Sequence, residues 1–136
     1  MSCKSALYVV NTNNAVGIAN GGLYSPDKVI RRFGKACQLA GNTIFLNEPG
    51  YYDIAVSATV TGLTAATPVT ISVYQDNAPV PGLTSTQTIS AANDVVTLNT
   101  SGIVRVMCNN RQSYISIIVS GQAVTGNNLA VDITKQ

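Results

Sequence analysis

Histidine is absent from this sequence. Its absence removes the commonest general base, the commonest zinc ligand and every Ser-His or Cys-His nucleophile pair. A mechanism built on carboxylates alone would need two of Asp27, Glu48, Asp53, Asp76, Asp94 and Asp132 to converge. Asp76 and Asp94 stand in turn sequences, Glu48 adjoins Pro49-Gly50, and Asp53 and Asp132 fall on the polar side of alternating runs, so these five read as turn formers or solvated groups. The expectation is a protein that is not an enzyme.

Tryptophan is missing too, and aromatic residues make up only 6% of the chain, which argues against a sugar-stacking groove or a base-stacking platform. Charge is scarce: 10% of residues carry it, against about 25% in an average soluble domain. A net charge of +2 is too small for general nucleic-acid binding, which needs several clustered cations. Cys3, Cys37 and Cys108 are far apart with no Cys-x-x-Cys pair, so free thiols are expected rather than disulfides or a zinc site, and with them a reducing site of synthesis. The apolar run Ala6 to Val10 is far shorter than a secretory core, and nothing approaches the roughly 20 apolar residues of a membrane span, so no membrane partner is expected. Asp76-Asn77 and Asn93-Asp94 offer hard oxygen ligands but no ordered calcium loop, and Gly21-Gly22 and Gly41 are isolated from any phosphate-cradling motif. No cofactor or metal is predicted.

What the chain has is alternation. Tyr52, Ile54, Val56, Ala58 and Val60 separate from Asp53, Ala55, Ser57 and Thr59 at period 2, the pattern of a half-buried strand. The same pattern sets Val69, Ile71 and Val73 against Thr70, Ser72 and Tyr74, and recurs at Ile103–Met107, at Ile115, Ile117 and Val119, and at Leu129, Val131 and Ile133. Between these runs lie closely spaced turn signals, among them Glu48-Pro49-Gly50, Gln75-Asp76-Asn77, Pro79-Val80-Pro81-Gly82, Ser101-Gly102, Cys108-Asn109-Asn110 and Thr125-Gly126-Asn127-Asn128. Many short strands with regular turns mean an all-β sandwich or barrel. At 136 residues the chain is the size of one domain.

Three segments stay open at this level. Asp27–Leu39 reads as strand or as helix: Val29, Ile30, Phe33 and Cys37 could share a helical face, whereas Gly34 and the Val29-Ile30 pair oppose it. Residues 1–25, rich in Asn and Gly, read as an N-terminal arm or edge segment ahead of a sandwich over residues 26–136. The basic block Lys28, Arg31, Arg32 and Lys35 is either a charged edge that blocks unwanted pairing or a contact for an acidic partner. Tyr51-Tyr52, after Pro49-Gly50, must point to opposite sides of its strand, one ring to the core and one to solvent or a neighbouring subunit.

The run Asn42–Ser57, an apolar strand followed by Glu48-Pro49-Gly50-Tyr51-Tyr52 and an alternating strand, resembles the signature of the jelly-roll family of the complement globular heads, the tumour necrosis factor ligands and their bacterial and phage relatives. The strand order downstream, through Val69–Val80, Ile103–Val119 and Leu129–Ile133, is similar to that family as well. The opening Met1–Asn11 and the block Val29–Gly34 resemble small phage and prophage proteins that sit on the virion surface as capsid decorations or head fibres. The resemblance implies an antiparallel two-sheet jelly-roll sandwich of about ten strands and a homotrimer; the collagen-like stalk and secretory signal usual in the complement relatives are missing from this sequence, a departure that favours a particle component made in the cytoplasm over extracellular signalling. Tyr51, Tyr52, Ile54, Val56, Ile115, Ile117 and Val119 are then the candidates for trimer or core packing, and Lys28, Arg31, Arg32 and Lys35 for contact with an acidic capsid protein. The expected role is a structural protein of a phage particle, made in the host cytoplasm. The alternative is a module that binds a glycan or receptor through its loops, which exposed tyrosines beside Asp and Asn loops would favour.

Overall fold

The computed structural model describes residues 5–13, 15–107 and 112–136. Cys3 and Cys108, with the turn expected at Cys108-Asn109-Asn110, lie outside them. The described strands are β1 (Ala6–Asn11), β2 (Val16–Ile18), β3 (Gly22–Leu23), β4 (Lys28–Phe33), β5 (Cys37–Ala40), β6 (Thr43–Leu46), β7 (Gly50–Gly62), β8 (Thr67–Gln75), β9 (Ala78–Ile89), β10 (Val95–Val106), β11 (Ser113–Ser120) and β12 (Val124–Lys135).

They form two antiparallel sheets. Sheet A has the order β10-β7-β12-β1-β4, with β2 added to β12, and sheet B has the order β5-β6-β11-β8-β9, with β3 added to β11. Alternation drives the pairing of the two sheets, because every second side chain of each long strand is apolar and must leave water. Tyr52, Ile54, Val56, Ala58 and Val60 of β7 are at most 2% exposed, and they meet Val69, Ile71 and Val73 of β8 and Ile115, Ile117 and Val119 of β11 in one core. Burying a side chain of this size contributes roughly 1.5–3 kcal/mol, so the core faces of β7, β8 and β11 carry much of the folding free energy.

Asp27–Leu39 resolves as two strands, not a helix. Arg32 of β4 pairs with Leu7 and Phe33 with Ala6, the chain reverses through Gly34-Lys35, and β5 then joins the other sheet. Residues 5–13 and 15–25, expected as an arm or edge segment, belong to the sandwich. β1 lies between β12 and β4, and Leu7 and Val9 are fully buried. Tyr24 is fully buried as well.

Three expected turns lie inside long strands instead. Pro79–Gly82 belongs to β9, Ser101-Gly102 to β10 and Thr125–Asn128 to β12. Two of these glycines mark close approaches. A Cβ at Gly102 would sit 2.7 Å from the Leu83 side chain, and one at Gly126 would sit 2.6 Å from the Tyr24 ring. Beside Gly126 the ladder slips between Gly126 and Asn128, and the displaced Asn127 pairs its amide with the Thr61 hydroxyl at 3.0 Å.

One side chain ties the two sheets together where the chain crosses between them. Gln122, 5% exposed, sits between β11 and β12 and grips the β7–β8 connection. Its Oε1 accepts from the backbone N–H of Leu63 (2.9 Å) and Thr64 (2.7 Å), and its Nε2 donates to the carbonyls of Thr64 (3.1 Å) and Thr67 (3.0 Å). All four bonding positions of the buried amide are thereby used.

Candidate functional site

The strand pairing that fills the core also sets which residues share the outward face of sheet A. Across its five strands one row reads Phe33, Ala6, Thr134, Asp53, Ile103, and the next reads Arg31, Tyr8, Asp132, Ala55, Ser101. Small side chains in the middle of the rows leave a trough. Two hollows of about 450 and 300 Å3 share Ala55, Ser101 and Asp132, so they are continuous. Tyr8 borders the first and Ile103 the second. Of the ten exposed large hydrophobic residues described, seven stand on sheet A: Tyr8, Val29, Ile30, Phe33, Tyr51, Val95 and Ile103. Tyr8, Phe33, Tyr51 and Ile103 stand on its outward face, whereas Val29 pairs opposite core-facing Val9, and the outward four border the trough as an interaction surface would.

Two carboxylates stand in the trough. Asp53 accepts a hydrogen bond from the Gln136 side chain, while Asp132 has no hydrogen-bond or ion-pair partner among the described residues. Both face solvent.

Tyr51 and Tyr52 part company as alternation requires. Tyr52 is fully buried and donates its hydroxyl to the Glu48 carbonyl at 2.6 Å, whereas Tyr51 is 51% exposed with the Arg105 guanidinium 5.6 Å above its ring. Burial pushes the phenols of Tyr52 and Tyr24 up to about 12, and that of the Cys37 thiol up to about 11. Cys37 is a free, buried thiol. The Tyr24 hydroxyl lies near the Asn128 backbone without a well-formed hydrogen bond. Ile54, Val56, Ile115, Ile117 and Val119 all lie in the core, at most 2% exposed.

The basic block is not brought onto one surface. Lys28, Arg31 and Arg32 are exposed on edge strand β4 and Lys35 on the turn beyond it. Arg31 pairs opposite outward-facing Tyr8, whereas Arg32 pairs opposite core-facing Leu7 and donates its Nε–H to the Cys37 carbonyl at 3.1 Å. The candidate calcium ligands are occupied in turns: Asp94 accepts from the Ala91 N–H, and Asp76 from the Ser113 hydroxyl and the Tyr114 N–H. Among the described residues no three His, Cys, Asp or Glu converge on a metal position.

A second hollow, on the outward face of sheet B, was not foreseen from the sequence. Phe45 and Tyr114 are cross-strand partners on β6 and β11, and Tyr74 of β8 pairs beside them with Ser116. With Thr43 and Asn77 they line about 420 Å3, and Leu23 and Ile118 extend the apolar floor. The aromatic count of the whole chain hides this local gathering.

No known protein family matches the chain by sequence, and no curated protein does so either. Solved structures match in fold. Murine APRIL, in a crystal structure at pH 5.0, has a TM-score of 0.70 at 9% identity, covering 98% of this chain and 99% of that one. The globular domain of the zebrafish complement 1qA protein has a TM-score of 0.69 at 11% identity, covering 96% and 94%. The fold is therefore the two-sheet jelly roll of the tumour necrosis factor ligands and complement globular heads.

Proposed function

We propose that this chain is a non-enzymatic structural protein that assembles as a homotrimer through the outward face of sheet A and decorates or cements a phage capsid as a head decoration or head fibre. The observation that carries the assembly reading is the trough of small side chains at Ala55, Ser101 and Ala130 on the sheet that also holds most of the exposed apolar residues. Such a face accepts the flank of another copy with little steric cost, and covering it removes apolar surface from water. The two trough carboxylates set a condition on the contact. Once covered, each needs a cation, because an unpaired buried charge costs several kcal/mol. The exposed arginines of the same sheet, Arg31 and Arg105, are the cations that a second copy can offer.

The virion context rests on the sequence resemblance of Met1–Asn11 and Val29–Gly34 to phage surface proteins. In support of a capsid contact, Lys28, Arg31, Arg32 and Lys35 are all exposed, on edge strand β4 and the turn beyond it. Light scattering behind a sizing column, at two protein concentrations, tests the assembly: a stable mass of about three chains is expected, and a monomer at the higher concentration overturns the reading. The gene's neighbours test the context. Capsid and portal genes are expected alongside, and a neighbourhood without virion genes rejects it.

A further inference from the structure

The hollow on sheet B points to a ligand, and it uses a face that the assembly reading leaves free. We propose that the outward surface of β6, β11 and β8 binds a neutral carbohydrate, with Phe45, Tyr74 and Tyr114 as the stacking platform and Asn77, Thr43 and Ser116 as its polar rim.

Three features choose this ligand class. The three rings are half-buried, so each is held by its neighbours yet keeps a surface for contact. Flat aromatic faces beside neutral hydrogen-bonding groups suit a molecule with apolar C–H faces and hydroxyl edges, which is what a pyranose presents. Among the described residues no charged side chain lines the hollow. The nearest carboxylate in the sequence, Asp76, already accepts from the Ser113 hydroxyl at 2.9 Å and the Tyr114 N–H at 3.0 Å. Among the described residues the hydroxyls of Tyr74, Tyr114, Thr43 and Ser116 and the Asn77 amide make no hydrogen bond to the protein, which leaves them available.

The platform is also rigid. Asp76 and Asn77 take φ values of 53° and 68°, the positive pair of a two-residue hairpin turn, and the Asp76 N–H donates to the Tyr114 carbonyl at 3.0 Å. The backbone of Asn77 is thereby held beside the rings in a tight turn rather than carried on a long loop. A volume of about 420 Å3 is that of a small-ligand site. A protein partner is a poorer fit, since a stable interface needs about 800 Å2 on each side. Beyond Tyr74 the outward face continues through Pro79 into Ser72, Thr70, Thr84, Thr86 and Thr88 and ends at Pro68, so hydroxyl-bearing side chains make up most of it.

The test is saturation-transfer NMR on the full chain with the methyl glycosides of glucose, galactose, mannose, N-acetylglucosamine and N-acetylgalactosamine, and with sialic acid as the charged comparison. Transfer to the ring C–H protons of at least one neutral sugar is expected, weakened about tenfold in Tyr114→Ala by loss of one stacking partner. Thr43→Arg, which fills the hollow without removing packing, should abolish it while the melting temperature stays unchanged. No transfer from any neutral sugar, transfer unaffected by Thr43→Arg, or binding of sialic acid alone would overturn the proposal. So would a change of solution mass in Thr43→Arg, because the face would then be a contact between copies.

Discussion

The two outward faces of the sandwich are built by the same alternation yet differ in what they offer. Sheet A presents small residues in a trough, two carboxylates and a border of exposed apolar side chains. Sheet B presents three aromatic rings with a neutral polar rim. The core-facing residues of both sheets are the same mixture of Val, Ile and Leu. In this molecule the inward positions therefore specify the fold, and the outward positions divide into a face suited to a large partner and a face suited to a small one.

The largest effect should come from breaking this division at the trough. Ala55→Arg places a long side chain in the centre of the sheet A trough, and the solution mass is expected to fall from about three chains to one, because its bulk fills the space that the flank of a second copy would occupy. Its counterpart, Thr43→Arg on sheet B, should leave the mass unchanged. If both variants dissociate the assembly, the faces do not have separate roles.

A second substitution acts on what joins the faces. Gln122→Ala removes four hydrogen bonds from the two crossings between sheets, leaving backbone groups of Leu63, Thr64 and Thr67 with poorer partners. A loss of about 3 kcal/mol in unfolding free energy is expected from denaturant titration. A single cooperative transition would show that the two sheets still unfold together. Two transitions would show that the amide is what couples them.

Alkaline pH should act on the fold through its two buried phenols and its buried thiol. Tyr24, Tyr52 and Cys37 have folded values raised by burial to about 12, 12 and 11, above ordinary values of 10.0, 10.0 and 9.0. The unfolded chain loses these protons first, so the stability they contribute is complete below about pH 9 and declines as pH rises toward 12. Far-UV circular dichroism and tyrosinate absorbance recorded together are expected to show the final phenol titration coinciding with unfolding. Full titration of all six tyrosines with the fold intact would contradict the burial of Tyr24 and Tyr52.

How far these faces were legible in the sequence depends on where their information lies. Alternation from Tyr52 to Val60 is local, so the inward and outward sides of β7 could be read directly, and Asp53 and Ala55 fell on the solvent side. Phe45, Tyr74 and Tyr114 come from three strands far apart in sequence, and only the register of β6, β11 and β8 brings them together. Composition pointed the other way, because 6% aromatic content says nothing about clustering. β1 was missed as an inner strand for a related reason. Its signal is short, and both of its neighbours, β12 and β4, are paired at a distance that no window along the chain contains. Ser101-Gly102 misled as a turn because the glycine serves a contact with Leu83 from the other sheet.

The smallest expected effect sharpens the comparison most finely. Arg105 and Tyr51 are direct cross-strand partners at the border of the sheet A face, with the guanidinium 5.6 Å from the ring centre. In the isolated chain both are exposed, and a double-mutant cycle of Arg105→Ala and Tyr51→Ala should give a coupling of about 0.5 kcal/mol. Under assembling conditions the outcome depends on whether Arg105 also answers a trough carboxylate of a second copy. If it does, Arg105→Ala should weaken association by far more than the intrachain coupling, and Asp132→Asn should suppress that extra loss because the neutral amide no longer needs a cation. Equal effects in the assembled and isolated chain would confine Arg105 to its stacking on Tyr51 and leave the trough carboxylates to another partner.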